Sequence, residues 1–472
     1  MGFNTNTFIF IFLPVSILIS FLHSCKAKDT LLLFISFLFF AWQKPKSILV
    51  LLFIIFINFP FGLILYKSKE TRNRSFYLIA AISINLLLLG TFKYFNFFTQ
   101  IINQLLHVSI PQKDISVPLG ISFFTFTSIS FLVDVYRGIL VDQPSFLNVA
   151  LYISFFPKMA QGPITRFKTF YANRKNTSGD INSLANGIER FIIGLGKKVL
   201  IADTLGQVVD SIWSAGPSQN TVAIAWLGAI CYTLQIYYDF SGYTDMAIGI
   251  GEILGFHLPE NFNFPYISKS ITEFWRRWHI TLGSFFKDYV YIPLGGNRCG
   301  ALRTYLNLLT VFFLTGLWHG ASWHYILWGL FNGVFMLIER WIHNQHFSFK
   351  FLPNSLKNLF LSVYALFITN IAWVFFRAPN TSNAVHYIKT MFGLDLGKYP
   401  GFQIQWYLNL QIIIVLIIAI VLASGIQKKL VNKLHLNTSY QILKYTLLLG
   451  LFFISLVKVV TGSYSSFIYF QF

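Results

Sequence analysis

The chain has 472 residues, of which 55% are hydrophobic and only 11% are charged. A soluble protein of this length needs a far more charged surface, so the composition excludes a soluble globular protein and indicates lipid as the solvent. The formal net charge of +19 lies largely in short connections. This pattern is typical of loops beside anionic lipid, and it does not indicate nucleic-acid binding.

Apolar segments recur along the whole chain. Several are shorter than a full span unless flanking polar residues join the helix, and we predict roughly 9–12 transmembrane spans. The predicted apolar segments are residues 8–22, 48–65, 76–98, 223–237, 306–317, 325–338, 356–376, 408–424 and 445–460.

The basic loops predict an orientation in the inner membrane. Residues 1–7 carry no basic side chain, so we interpret the first apolar segment as a retained helix and not as a cleaved signal. Basic loops at 66–74 and 427–436 belong on the cytoplasmic side. Counting spans from these loops places both the N-terminus and the tail at 461–472 outside the cytoplasm.

We predict a single membrane domain over residues 1–472 that has three regions. Residues 1–113 and 341–472 have the mostly apolar composition of lipid-facing helices. Residues 114–340 carry most of the Gly, Pro, His, Trp and carboxylate residues. Irregular backbone at membrane depth is tolerated only where protein or water satisfies it. The middle region is therefore expected to line a cavity. The three isolated cysteines indicate neither a disulfide framework nor a metal site.

The first polar motif occupies residues 271–297. On a continuous helix, Trp275 and His279 would share a face, and Glu273 and Arg277 would be spaced for an ion pair. Charged residues this close to apolar neighbours are costly against lipid. The alternative is a surface amphipathic helix with its arginines reaching the interface.

The second polar motif occupies residues 315–333. His319 is predicted to lie where an apolar helix meets a Gly/Ser-containing break, with Trp318 and Gly320 beside it and Trp323 one turn further on. An ionisable residue in such a place is a functional-site candidate. The alternative is a histidine that is hydrogen-bonded structurally within the helix bundle.

The third polar motif occupies residues 235–251. Asp239 and Asp245 bracket a polar Ser-Gly-Tyr-Thr stretch that we interpret as a break in an apolar helix. Carboxylates at this depth need partners. They could orient an imidazole or pair with Arg276 or Arg277, and the sequence does not decide between these roles.

The motifs that are missing limit the chemistry. The sequence has no Gly-x-Ser-x-Gly elbow, no phosphate-binding glycine loop and no His-Glu-x-x-His. A neutral imidazole in a dry cavity can accept a hydroxyl proton while the oxygen attacks a thioester carbonyl. Two histidines could divide this work, one as the base and the other positioning substrate or stabilising the oxyanion.

Several long motifs, in order along the chain, resemble the membrane-bound O-acyltransferase (MBOAT) family, in its bacterial alginate O-acetyltransferase-like branch. They include VPLGISFFTFTSISFLVDVYRG, YYDFSGYTDMAIG, FWRRWHITL and GLWHGASW. The matching segments are residues 117–138, 152–167, 234–251, 259–282, 291–298 and 316–323, and the ending at 467–472 is also similar.

The resemblance implies an all-α polytopic fold in which tilted and broken helices surround a central tunnel. It also implies that His319 is the catalytic histidine and His279 a second one. We expect the aromatic and charged residues of the same motifs to bind substrate, namely Trp275, Trp278, Trp318, Trp323, Asp239, Tyr243 and Arg277.

The function implied is transfer of an acetyl group from a cytoplasmic thioester towards hydroxyls of an extracytoplasmic polysaccharide. Acetyl-CoA would be a co-substrate, with no bound cofactor or metal, and an extracytoplasmic partner of the SGNH-hydrolase type would complete the transfer. The alternatives are D-alanyl transfer to teichoic acid and a transporter or acyl conduit without chemistry of its own. Asn332 stands where family members often carry histidine, which leaves the subfamily open.

Overall fold

The computed structural model describes residues 1–472 except 43, 70, 141, 173–179, 217–218, 346–352, 396–402, 427–437, 463 and 465–472. The described residues form α-helices with short π and 3₁₀ segments and no extended strand. They confirm the prediction of an all-α polytopic protein. The basic loop at 427–436 and most of the tail lie outside the described residues, so the orientation of the termini stays a prediction.

The contacts divide the chain into two compact units. Unit 1 comprises Met1–Ile192 and Tyr243–Glu260, and unit 2 comprises Ile193–Gly242 and Asn261–Phe472. The helices of the first 192 residues are α1 Leu13–Ser20, α2 Cys25–Ala41, α3 Ile48–Lys67, α4 Arg74–Leu89, α5 Phe95–Leu106, α6 Ile121–Tyr136, α7 Phe146–Ser154, α8 Phe156–Met159, α9 Phe167–Ala172 and most of α10 Ile181–Gly196.

Unit 2 carries the histidine motifs. After a π-helical turn at Lys197–Ala202, α11 and the long α12 lead into two very short helices and then into apolar ones. These helices are α11 Asp203–Ala215, α12 Val222–Ile253, α13 Ile271–Arg277, α14 Ile280–Phe286, α15 Gly300–His319, α16 Trp323–Asn344, α17 Asn354–Arg377, α18 Thr381–Met391, α19 Leu410–Ala423 and α20 Thr438–Val460.

Among the described residues, five helices are long and apolar enough to cross a bilayer. Shorter apolar helices at Phe8–Ser20, Ile121–Tyr136 and Leu410–Ala423 accompany them. Many large apolar side chains on these helices are exposed, which is the expected surface for a protein in lipid. The five long helices are Pro45–Lys67, Arg74–Leu106, Gly300–His319, Asn354–Arg377 and Gln441–Val460.

The predicted break between Asp239 and Asp245 is wrong, because α12 runs without interruption through both residues. Gly242, at the centre of the supposed break, is a packing residue. A Cβ atom at Gly242 would lie 2.8 Å from the carbonyl oxygen of Gly194 and 3.1 Å from the backbone nitrogen of Lys198. Small residues allow such close approach of helices in membranes. Gly242 therefore lets α12 pack closely against the neighbouring helix and does not end α12.

The continuous helix that would place Trp275 and His279 on one face is not present either. Helix α13 ends at Arg277, Trp278 is extended, and His279 has a left-handed backbone with φ of 44° before α14 begins. Trp275 and His279 therefore do not share one helix face. Positive φ is uncommon outside glycine, so the surrounding structure must hold this bend.

Helix α13 is fixed at its first turn by a side chain from α16. The carboxylate of Glu339 accepts hydrogen bonds from the backbone N–H groups of Ile271 and Thr272, at 2.5 and 2.9 Å. Ser270 caps the same helix by accepting from the N–H of Glu273 at 2.9 Å. These acceptors satisfy the free N–H groups that begin every helix, and they hold α13 against α16.

Candidate active site

His319 is the last residue of α15, and the helix ends directly after it, as predicted. Its side chain is buried, and three rings surround the imidazole. The ring centroids of Trp318, Trp328 and Phe376 lie 4.7, 4.9 and 5.0 Å from it, all at steep interplanar angles. Helices α15, α16 and α17 each supply one of these rings. The imidazole therefore lies in an aromatic cage within unit 2.

Glycines bring α15 and α16 together beside this cage. A Cβ atom at Gly316 would lie 2.4 Å from the carbonyl oxygen of Tyr325, and one at Gly329 would lie 2.3 Å from that of Phe312. At Gly320 an added Cβ would collide with the ring of Tyr325 at 2.2 Å. A side chain at Gly316 or Gly329 would push the two helices apart, and one at Gly320 would displace the ring of Tyr325.

His279 is buried at the bend between α13 and α14. Its Nδ1 lies 3.0 Å from Oδ1 of Asn261, and the same oxygen accepts from the N–H and the hydroxyl of Thr281 at 3.2 and 2.9 Å. Phe240 of α12 contacts the imidazole edge-on, with 4.7 Å between ring centroids. Burial lowers the pKa of His279 to about 3, so the ring is neutral at physiological pH.

Trp318 connects the two imidazoles. Its indole centroid is 5.9 Å from the ring of His279 and 4.7 Å from the ring of His319. The structure therefore brings together the two histidines that the sequence singled out, although 40 positions separate them in the chain. Each is packed against the same indole, in surroundings that exclude water.

Two of the predicted tryptophans support this arrangement. Trp278 is fully buried and packs against Trp373, with 4.8 Å between ring centroids. Trp275 contacts Trp328, and its Nε1 donates to Oδ1 of Asn332 at 3.2 Å. Asn332, the residue that departs from the family pattern, thus anchors an indole next to the cage around His319.

Trp323 and Arg277 lie in less enclosed positions. Trp323 starts α16 and is 55% exposed. Arg277 pairs with Glu273 at 2.8 Å, which confirms the predicted i,i+4 ion pair, and also donates to the carbonyl oxygen of Asn263 at 3.1 Å. These contacts assign Arg277 to the local support of α13. Its role in substrate binding stays a prediction.

Asp239 pairs with neither predicted arginine. Its carboxylate lies 2.7 Å from Nζ of Lys198, which also pairs with Asp203 at 2.5 Å. All three side chains are buried, so they form an internal charge cluster. Sequence reasoning missed Lys198, because two consecutive lysines after a helical glycine give no sign of a partner 41 residues away.

Two further predicted residues belong to unit 1. Asp245 accepts from Arg190 at 2.9 Å, and Arg190 also binds Glu260 at 2.6 Å, in place of the predicted pairing with Arg276 or Arg277. Tyr243 is buried and stacks on Phe3, with 4.6 Å between ring centroids. The proposed role of Tyr243 in substrate binding stays a prediction.

A separate cavity of about 500 Å³ lies in unit 2 between α12, α17 and α19. Its wall is almost entirely apolar, and neither imidazole belongs to it. Its polar wall groups are largely used internally, since Asn370 donates to the hydroxyl of Thr233 at 2.8 Å and Tyr266 donates to the carbonyl oxygen of Thr233 at 2.5 Å. The imidazole pair, and not this cavity, carries groups able to perform acid–base chemistry.

Two buried histidines that pack against one indole, in a helical chain with helices apolar enough to cross a bilayer, form the class of site expected for acyl transfer inside a membrane. The comparisons with known proteins agree with this class. The model of the membrane-bound O-acyltransferase family, MBOAT, matches residues 34–377. The chain belongs to this family.

Curated relatives refine the comparison. The chain is 35% identical to "Probable alginate O-acetylase AlgI" of Pseudomonas putida over the full length of both proteins. It is 40% identical to the protein of the same name from Pseudomonas aeruginosa, over 83% of this chain and 75% of the relative. It is 37% identical to the peptidoglycan O-acetyltransferase of Helicobacter pylori, over 83% of this chain and 80% of the relative. The chain is a multi-pass membrane protein and an O-acyltransferase.

Proposed function

We propose that the protein transfers an acetyl group from a cytoplasmic thioester towards hydroxyls of an extracytoplasmic polysaccharide, with a histidine as general base. The observation that carries this proposal is the burial of His319 within an aromatic cage at the end of α15. The relatives named as alginate and peptidoglycan O-acetylating proteins support a polysaccharide as the acceptor.

The proposed reaction needs one proton carrier. The neutral imidazole of His319 takes the proton of the acceptor hydroxyl while the oxygen forms a bond to the thioester carbonyl carbon. The tetrahedral oxyanion then collapses and the carbon–sulfur bond breaks. The imidazolium returns the proton to the departing thiolate, so the products are an ester and a free thiol. A cage of carbon atoms strengthens these electrostatic interactions and excludes water that would hydrolyse the thioester.

The finer assignments are part of the same proposal. The acyl donor is acetyl-CoA used as a co-substrate, and no cofactor is held between turnovers. The protein lies in the inner membrane with both termini outside the cytoplasm, as the basic loops predict. A partner of the SGNH-hydrolase type completes transfer to the polymer on the extracytoplasmic side.

The proposal is tested in cells by mass spectrometry of the envelope polymers. Cells that lack the gene are compared with cells that carry the wild-type chain or His319→Ala. We expect O-acetyl esters on one polysaccharide to disappear with the gene, to return with the wild-type chain, and to stay absent with His319→Ala. An immunoblot of the membrane fraction checks that the variant accumulates.

His343→Ala is the matched control, because His343 lies exposed at the end of α16. It should restore the esters fully. Restoration by His319→Ala would contradict the role of the imidazole. D-alanyl esters in place of acetyl esters would assign the chain to teichoic-acid modification, and an unchanged set of esters in the deletion strain would contradict polymer acylation.

A further inference from the structure

The side chain of Asn261 makes an unusual set of contacts. Its Oδ1 receives the backbone N–H of Thr281 at 3.2 Å, the hydroxyl of Thr281 at 2.9 Å and Nδ1 of His279 at 3.0 Å. A backbone N–H can only donate, so the atom facing it must be the amide oxygen and not the amide nitrogen. The backbone therefore fixes the orientation of this amide.

The fixed amide determines which imidazole nitrogen of His279 carries the proton. An amide oxygen can only accept, so Nδ1 of His279 must donate and must therefore be protonated. In a neutral imidazole the other nitrogen, Nε2, then carries a lone pair and no proton. Nε2 is buried and has no hydrogen-bond partner among the described residues. This lone pair is therefore free to accept a hydrogen bond from a donor that enters the site.

The surroundings of His279 leave Nε2 with aromatic neighbours. Phe240 contacts the imidazole edge-on, and the indole of Trp318 lies 5.9 Å from it, beside His319. The ring carbons of Phe240 are not conventional hydrogen-bond donors. The backbone of Asn261 also helps to hold the bend, since its carbonyl oxygen accepts from the N–H of Ile280 at 3.0 Å.

We propose that Asn261 is a positioning residue that holds His279 in the Nδ1–H tautomer, so that Nε2 meets the substrate only as a hydrogen-bond acceptor. His279 is then unable to stabilise an oxyanion, because that task requires a donor and its one N–H is bound to Asn261. The substrate groups that Nε2 binds are donors, above all the hydroxyl of the acceptor. This assignment rests on the proposed acyl transfer between a thioester and a hydroxyl.

The direct test is nitrogen NMR of the full-length protein in lipid bilayers with ¹⁵N-labelled histidine. The His279 signals are identified by their loss in His279→Asn. We expect a protonated Nδ1 and an unprotonated Nε2 in the wild type, and a change towards a protonated Nε2 in Asn261→Leu. Asn263→Leu is the matched control, since Asn263 is exposed and two positions away, and it should leave the signals unchanged. A wild-type ring with its proton on Nε2 would overturn the proposal.

Kinetics provide the second test. The partners that orient metal-bound histidines typically contribute about 10–100-fold, and we expect an effect of about that size on kcat from Asn261→Leu. The same substitution in a His279→Asn background should cost nothing further, because Asn261 acts through the imidazole. An additive loss would contradict the proposal.

A variant that removes only one hydrogen bond to Asn261 distinguishes a role in positioning His279 from a role in folding. Thr281→Val deletes one donor to Asn261 but leaves the contact with His279 in place, so the tautomer and kcat should stay close to wild type. A loss as large as that of Asn261→Leu would assign Asn261 a purely structural role. The NMR result does not depend on acyl transfer, so failure of the tautomer assignment is distinguishable from failure of the proposed function.

Discussion

Two groups of buried polar side chains in unit 2 differ in how completely they are paired. Lys198 pairs with Asp203 at 2.5 Å and with Asp239 at 2.7 Å, so each of these buried charged groups has a partner of opposite sign. His279, which contacts the residue next to Asp239 on α12, leaves its Nε2 without a partner among the described residues. Both groups are expensive to bury.

The difference separates stability from function. The charged groups of a buried ion pair already have partners before any substrate binds. Removal of one partner mainly leaves the other charge buried and uncompensated. A buried nitrogen with an unused lone pair gains a hydrogen bond only when a donor group enters the site. Mutations in the first group should therefore lower protein stability, and mutations in the second should lower the transfer rate of a folded protein.

The largest effect on the second group is expected from His279→Asn. Asparagine tolerates the left-handed backbone at this position but its amide is not basic. The acyl-transfer rate should fall by about 10²–10⁴-fold, the usual contribution of a positioned imidazole. The thermal midpoint of the purified protein, followed by tryptophan fluorescence, should change little. Loss of the folded protein together with its activity would contradict the assignment of His279 to function and not to stability.

Lys198→Met tests the first group. It leaves two buried carboxylates without their cation, and we expect a loss of about 3–5 kcal/mol in the free energy of unfolding. The measurement is the unfolding of the purified protein in mixed micelles, accompanied by its abundance in membranes. A variant as stable as wild type but without transfer activity would show that this cluster is also part of the reaction.

Asp245→Asn is expected to have a smaller effect on stability. Asp245 accepts two hydrogen bonds from Arg190, at 3.1 and 2.9 Å, but Arg190 keeps its paired contacts with Glu260. The expected loss is about 1.5–3 kcal/mol, as for hydrogen bonds to charged groups. Activity per folded molecule should match wild type. A selective loss of activity would indicate that Asp245 also has a functional partner.

Glu273→Gln should have the smallest effect. Its ion pair with Arg277 is a half-buried i,i+4 pair on α13, and i,i+4 helix pairs contribute about 0.3–0.5 kcal/mol. The thermal midpoint should therefore move only slightly, and transfer should stay near wild type. A severe loss of transfer with unchanged stability would show that Arg277 needs its carboxylate partner to bind substrate.

The sequence predicted the location of His319 well, because apolar periodicity and the Gly-Ala-Ser break are local features. It also predicted the pairing of Glu273 with Arg277, which depends only on helical spacing. The polytopic membrane class followed from composition and from the length of the apolar segments, and the family resemblance implied the all-α fold. Each of these properties is determined by residues close together in the chain.

The errors came from contacts between distant residues. No glycine or proline lies between residues 266 and 282 to signal the bend at His279, and the bend is held by Asn261 from 18 positions away. The Ser-Gly-Tyr-Thr stretch has the composition of a break, but Gly242 lies against Gly194 and α12 continues. Lys198 and Asp239 meet only because two helices pack together.

The most direct test of the central claim uses purified protein in liposomes supplied with radiolabelled acetyl-CoA and an oligosaccharide acceptor, with the extracytoplasmic partner included. We predict label on the acceptor with the wild-type chain and only background label with His319→Ala, while His343→Ala behaves as wild type. Transfer by His319→Ala at the wild-type rate would contradict the claim that this caged imidazole carries the reaction.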